Sequence, residues 1–190
     1  YRMVDGVLRS ETAEPSLPGS GEVLVEVEAS SMNYRDIAIR AGFYPSRSGV
    51  IPLSDGAGKI VEVGANVSDL TAGQPVTSCF YPFWESGPAS ATNHRATLGC
   101  NLDGLLTKFV TLPASAWVPT PKHMSSLEAS TLPCAALTAW AALFTRGGLR
   151  PGQHVLIQGT GGVAIFAIQL AKAVGARVTV ISSSDEKLAR

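Results

Sequence analysis

Val155-Leu156-Ile157-Gln158-Gly159-Thr160-Gly161-Gly162-Val163-Ala164 reads as a buried strand, a glycine turn and the start of a helix. That order of elements cradles a dinucleotide pyrophosphate at a helix N-terminus. Gly159 allows the tight turn, and Gly161 lets the backbone approach the phosphates. Ala164 stands at the third glycine position, where the requirement is close helix-strand packing. Thr160, Gly162 and Val163 complete the expected cradle. A tight strand-helix turn with no ligand is the bland alternative. The surrounding pattern argues against it, since an apolar strand precedes the turn and an almost wholly apolar helix follows.

Working outward, Pro151-Gly152 turns the chain into the strand His154 to Gln158. A helix runs from Val163 to Val174, Gly175 ends it, and Arg177 to Ile181 forms the next strand. This is one βαβ unit, expected to be right-handed. The chain reaches Arg190 only 26 residues after Ala164, so the expected dinucleotide-binding domain is half present.

Beyond Ile181 come Ser182-Ser183-Ser184-Asp185-Glu186-Lys187. An acid at the strand end would accept the ribose hydroxyls of NAD, but here the first acid follows three hydroxyls. Ser182, Ser183, Ser184 and Lys187 suit a 2′-phosphate, which predicts NADP(H) over NAD(H). The serines can equally cap the next helix, and the two roles are compatible.

The first 120 residues carry short strands separated by turns. Glu22 to Glu28 alternates, with Val23, Val25 and Val27 on one face. Asn33 caps a short helix through Ile39 that closes at Gly42. Further strands are predicted at Gly58 to Val63, Pro75 to Phe80, Leu105 to Leu112 and Ala116 to Pro119. This spacing predicts a compact β-barrel-type domain. The aperiodic interval Tyr81 to Gly104 reads as a binding element or lid. Ser125-Ser126-Leu127-Glu128 is a capping box, and a further helix is expected from Pro133 through Phe144 to Gly147-Gly148. The expected domains are 1–124 and 125–190.

Composition narrows the function classes. The 190 residues are 45% hydrophobic with balanced charge, 15 Lys and Arg against 15 Asp and Glu. Disorder is excluded, and no general attraction to nucleic acid or an anionic membrane is expected. Val163 to Val174 is too short to span a bilayer and contains Gln169 and Lys172. Cys79, Cys100 and Cys134 form no CxxC pair and read as free thiols of a cytoplasmic protein.

The chain resembles the medium-chain dehydrogenase/reductase superfamily, and within it the zinc-lacking quinone oxidoreductase-like branch. The resemblance rests on Gly21-Glu22-Val23-Leu24-Val25, Asn33-Tyr34-Arg35-Asp36, Asp55-Gly56-Ala57-Gly58 and Val61-Glu62-Val63-Gly64. Asp103-Gly104-Leu105, Thr138-Ala139-Trp140 and the glycine turn extend it. It implies an α/β chain: a GroES-like β-barrel-type catalytic domain, then the first half of a Rossmann domain, with the active site in the cleft between them. It also implies that this is the N-terminal portion of a parent protein that is a homo-oligomer. The segment alone is expected to bind cofactor weakly and to lack turnover.

Zinc-dependent relatives supply a cysteine, a His-Glu pair and a second cysteine. Here the positions hold Asn33, Ser54-Asp55 and Cys134, and one thiolate does not make a three-ligand catalytic site. The long loop holds only Cys100, so the four-cysteine structural lobe is absent as well. His94, His123 and His154 have no partners at ligand spacing. No metal is expected.

Without zinc, hydrogen-bond donors must stabilise the charge that develops on the substrate oxygen. That suits a quinone, enone or other small carbonyl substrate better than alcohol oxidation. Asn33 is the leading donor candidate, with a helix N-cap as its structural alternative. Asp36 matches the Asn-x-x-Asp pattern and is expected to support Asn33. Tyr44, in the loop after Gly42, offers a phenol, and Thr138 matches a position behind the nicotinamide. Trp140 reads as core or interface, and Phe80 and Trp84 as pocket walls. Two other readings stand beside this one: an alcohol dehydrogenase-like enzyme, and a cofactor-binding protein without turnover.

Overall fold

The computed structural model describes residues 1–84, 86–91 and 96–189. The chain divides into two compact units, Tyr1–Pro133 and Cys134–Arg190. The sequence places the boundary at 124/125. Helix α2 (Ser126–Ala129) instead stays with the first unit because it packs on the N-terminal sheet, where Ser126 donates 2.6 Å to Glu28 and Lys59 pairs with the same carboxylate at 3.1 Å.

The first unit opens with a hairpin, β1 (Arg2–Val4) and β2 (Val7–Arg9). The predicted strands do not include this hairpin. The signal was present: Asp5 and Gly6 both adopt positive φ, the pairing demanded by a two-residue hairpin turn. The main sheet is antiparallel, in the order β6-β3-β4-β5-β7. Its strands are β3 (Glu22–Ser31), β4 (Asp55–Val63), β5 (Pro75–Ser78), β6 (Phe109–Pro113) and β7 (Trp117–Pro119).

Val23, Val25, Ile60, Val76, Leu98 and Leu105 are fully or almost fully buried and form the core of this unit. Each such side chain contributes about 1.5–3 kcal/mol when fully buried. Leu24, expected on the opposite face with Glu26 and Glu28, is also buried. Register shifts at Leu24/Val25 and Val27/Ala29 break the simple alternation along β3. The interval from Tyr81 to Gly104 is therefore not wholly a lid. Its far end inserts Leu98 into the core, where Leu98 and Leu102 form an isolated bridge.

In the second unit β8 (His154–Gln158) and β9 (Arg177–Ile181) are parallel neighbours, joined by α4 (Gly162–Ala173). Ala164 and Ala167 of α4 pack with Ile157 and Ala139. The predicted helix from Pro133 to Phe144 is one helical run with uneven winding. A single α turn, α3 (Leu137–Trp140), lies between π-type segments at Leu132–Ala136 and Ala141–Arg146. Trp140 is 51% exposed and stacks on Phe144 with ring centroids 4.6 Å apart, so it is not part of this unit's core. Helix α5 (Asp185–Leu188) closes the described chain.

Candidate functional site

The glycine turn is fastened at its start, where the Gly159 amide donates 2.7 Å to the Ile181 carbonyl at the end of β9. Gly159 has φ +90°, a conformation costly for any other residue. Gly161 caps α4 with φ −79° and ψ 179°, which any residue adopts. A Cβ placed on either would meet no atom within 4 Å. At Gly159 the bare backbone follows from conformation. At Gly161, the N-cap of α4, neither conformation nor packing requires it, and the space beside it is open.

The space in front of the turn is a cavity of about 730 Å³. Gly159, Thr160 and Gly161 line it on one side, Ser182, Ser183 and Lys187 on the other, with Ile165 and Ile181 as apolar walls. Among these lining side chains there is no carboxylate. The amides of the first turn of α4 lack intrahelical partners and carry the positive end of the helix dipole. An anionic, pyrophosphate-bearing ligand fits this cradle.

The remaining sequence-predicted cofactor residues lie in three places. Gly162 and Val163 sit in the first turn of α4, and Gly162 would place a Cβ 3.6 Å from that of Ala135. Ser184 accepts 3.4 Å from the Lys187 amide and so caps α5, which realises the structural alternative for that serine. Thr138 is exposed on α3.

In the first unit the predicted residues gather at the start of α1 (Tyr34–Arg40) and of β4. Asn33 caps the helix through its backbone: its amide donates 2.7 Å to Asp36 Oδ2, and its carbonyl accepts 3.0 Å from the Asp36 amide. Among the described residues its side-chain Nδ2 is buried without a hydrogen-bond partner, as is Asp36 Oδ1. Asp36 is only 7% exposed, and burial pushes its pKa up. The bond from Asn33 and the Arg35 charge oppose the rise, while Asp55 adds to it.

Ser54 and Asp55 are fully buried, and the Ser54 hydroxyl donates 2.6 Å to Asp55 Oδ1. Ser78 joins this polar cluster, accepting from the Gly56 amide and donating to the Ser54 carbonyl. Sequence reasoning missed Ser78, because a serine in a β-strand carries no signal of its own.

Phe80 is half-buried beneath the Arg35 guanidinium, 4.6 Å from its ring centroid, and stacks edge-on with Tyr81. Arg35 also donates to Thr97 Oγ1 and to the Leu98 carbonyl. This pairs Phe80 with a cation and fastens α1 to the far end of the long loop. Tyr44 is 55% exposed. His123 is exposed, His154 bonds Thr179 at 2.8 Å, and His94 lies outside the described residues. Cys79, Cys100 and Cys134 are in no disulfide among the described residues, and burial pushes the Cys79 thiol up.

An antiparallel unit with a buried polar cluster is thus followed along the chain by a parallel βαβ unit with a glycine turn at its helix start. Residues 19–122 match the alcohol dehydrogenase GroES-like domain, and the chain belongs to the medium-chain dehydrogenase/reductase superfamily. It is 46% identical over 189 residues to a zinc-type alcohol dehydrogenase-like protein of Schizosaccharomyces pombe, covering 97% of this chain and 54% of that one. An acryloyl-coenzyme A reductase of Sulfurisphaera tokodaii is 32% identical, with 96% and 57% covered. A solved Sinorhizobium meliloti 1021 protein, described provisionally as an alcohol dehydrogenase, superposes with a TM-score of 0.86. It is 43% identical, with 92% of this chain and 53% of that one covered. The chain thus spans about half the length of the relatives it matches.

Proposed function

We propose that the protein is an NADP(H)-dependent oxidoreductase that reduces a quinone, an enone or a similar small conjugated carbonyl compound without catalytic zinc. The observation that carries this reading is the cavity at the glycine turn. It is bare at Gly161 and bounded by two serines and a lysine, with no lining carboxylate.

When bound, the nicotinamide supplies the hydride. The chain's own residues hold and orient. The Gly159–Gly161 backbone and the first turn of α4 receive the pyrophosphate, while Ser182, Ser183 and Lys187 receive the 2′-phosphate. Asn33 Nδ2, a buried donor without a partner, offers a hydrogen bond to a substrate oxygen, and Asp36 fixes the Asn33 backbone from behind. The Tyr44 phenol is a second donor. Thr138 is assigned to the nicotinamide from the family pattern alone.

Zinc does not fit the donor set. An amide at Asn33 and a hydroxyl at Ser54 replace ionisable ligands, and Ser54 is already engaged with Asp55. The acryloyl-coenzyme A reductase similarity favours reduction of a conjugated double bond. The zinc-type alcohol dehydrogenase-like similarity favours a second reading, alcohol oxidation.

Turnover of a quinone and enone panel by the full-length protein, with NADPH and NADH compared, tests the proposal. NADPH consumption with kcat/KM at least about tenfold above NADH is expected. One equivalent of zinc per chain together with alcohol oxidation would establish the second reading. Quenching of tryptophan fluorescence by NADPH without consumption across the panel would mark a binding protein.

A further inference from the structure

We infer that Asp103 is a positioning residue: its carboxylate fastens the loop that carries Tyr44 and so sets where the phenol stands. The inference rests on the assignment of Tyr44 as a substrate donor made above. Asp103 belongs to the Asp103-Gly104-Leu105 motif, to which nothing in the nucleotide cradle or the buried polar cluster gives a role.

The loop from Gly42 to Val50 leaves α1 and returns to the sheet with its side chains largely in solvent. Phe43 is 79% exposed and Tyr44 55% exposed. An exposed segment of this kind gains little order from burial, so its course depends on its polar ties. At the helix end, the Phe43 amide donates 2.9 Å to the Ala38 carbonyl. At the far end the Gly49 amide donates 2.8 Å to the Met3 carbonyl and the Met3 amide donates 2.8 Å to that of Val50, while the remaining ties converge on one short stretch, Cys100 to Asp103. Asp103 Oδ1 accepts from Arg47 Nη2 and, at 3.0 Å, from the Ile51 amide.

Asp103 Oδ2 accepts from Arg2 Nη1 at 3.3 Å, and the same arginine nitrogen donates 2.9 Å to the Gly49 carbonyl. The Arg47 amide donates 2.9 Å to the Cys100 carbonyl, and the Cys100 thiol donates to the Pro45 carbonyl at 3.3 Å. One carboxylate thus joins three points of chain distant in sequence: residue 2, the loop at 47–51, and its own turn. Charge-assisted bonds are the stronger kind, and two of the three partners of Asp103 are guanidinium groups. Tyr44 lies three residues from Arg47. Loss of the Asp103 carboxylate leaves the backbone ties of the loop in place but removes the charge that holds both guanidinium groups, so the stretch after Tyr44 is less firmly set.

Displacement of a donor by about 1 Å lowers turnover by an order of magnitude or more. Asp103→Asn keeps the shape and an acceptor for Ile51 but removes the charge that holds both arginines. Arg47→Gln, at a half-exposed side chain, releases the loop without touching the core. The test is a double-mutant cycle with Tyr44→Phe in the full-length protein, using the best quinone or enone of the panel.

Asp103→Asn and Arg47→Gln are each expected to lower kcat/KM about tenfold with NADPH affinity unchanged. Added to Tyr44→Phe, either is expected to lower it less than about twofold further, because the residue they position is already gone. Additive losses, about a hundredfold for the double variant, would overturn the inference. So would wild-type activity in Tyr44→Phe or in Asp103→Asn. If the unmodified protein turns over nothing in the panel, it is the proposed function that fails. Amide hydrogen exchange then decides the clasp alone: faster exchange over residues 43–50 in Asp103→Asn, with β3 and β4 unchanged, supports it. Equal exchange in the two proteins overturns it.

Discussion

The glycines of the two units answer to different demands. In the N-terminal unit, a Cβ on Gly58 would lie 2.0 Å from the Glu26 carbonyl oxygen, and one on Gly64 would lie 1.9 Å from that of Gly19. These are approaches of backbone to backbone that the sheet itself requires, beside the irregular pairing of β3 and β4. In the C-terminal unit, a Cβ on Gly159 or Gly161 meets nothing within 4 Å. The first pair are glycines of packing; Gly161 is not, and the proposed function assigns it to binding. A glycine in sequence does not say which it is, and the space around it does.

The same contrast runs through the cores. The N-terminal unit buries valine, isoleucine and leucine from several strands. The C-terminal unit buries mostly alanines with Ile157, and leaves Leu156 58% and Ile181 47% exposed.

The largest expected effect comes from Gly58→Ala. The clash is with backbone, which has no rotamer to yield, so a loss of about 3 kcal/mol or more is expected. Chemical denaturation measures it, and a variant with wild-type stability would erase the contrast with Gly161.

A smaller and pH-dependent effect is expected at Asp36. Burial raises its pKa against the opposing bond from Asn33, with Arg35 and Asp55 as its charged neighbours. A raised carboxyl pKa favours the protonated form in the fold. Its contribution is fully present below the unfolded carboxylate pKa and is lost as pH rises through the folded value. Unfolding measured across that window is expected to show the unmodified protein gaining stability on Asp36→Asn as pH falls. A pH-independent difference would place Asp36 in an ordinary exposed turn.

The strands of the βαβ unit were legible because their apolar runs are bounded by glycine and proline. His154–Gln158 and Arg177–Ile181 fall where the pattern puts them. β4 begins at Asp55, three residues before its predicted start, because Gly56 and Ala57 carry no strand preference and are held by pairing with β3. β6 begins at Phe109 and not Leu105, whose apolar side chain serves the core from outside the strand. Of the two readings of Trp140, core and interface, the turn of α3 removes the first by leaving the ring half in solvent. At the site, Asn33 and Asp36 were legible as a cap and its partner. Their two buried orphan atoms were not, since satisfaction of hydrogen bonds depends on residues distant in sequence.

The most direct test of the cradle is Gly161→Ala, read by thermal unfolding and NADPH titration together. At an N-cap with ordinary φ and open space, the lost capping preference and the reduced freedom of the unfolded chain nearly offset, leaving stability within about 1 kcal/mol. NADPH affinity is expected to fall at least about tenfold, because the new methyl occupies the pyrophosphate approach. Unchanged NADPH affinity, with or without a loss of stability, would contradict the claim that this glycine is bare for a ligand.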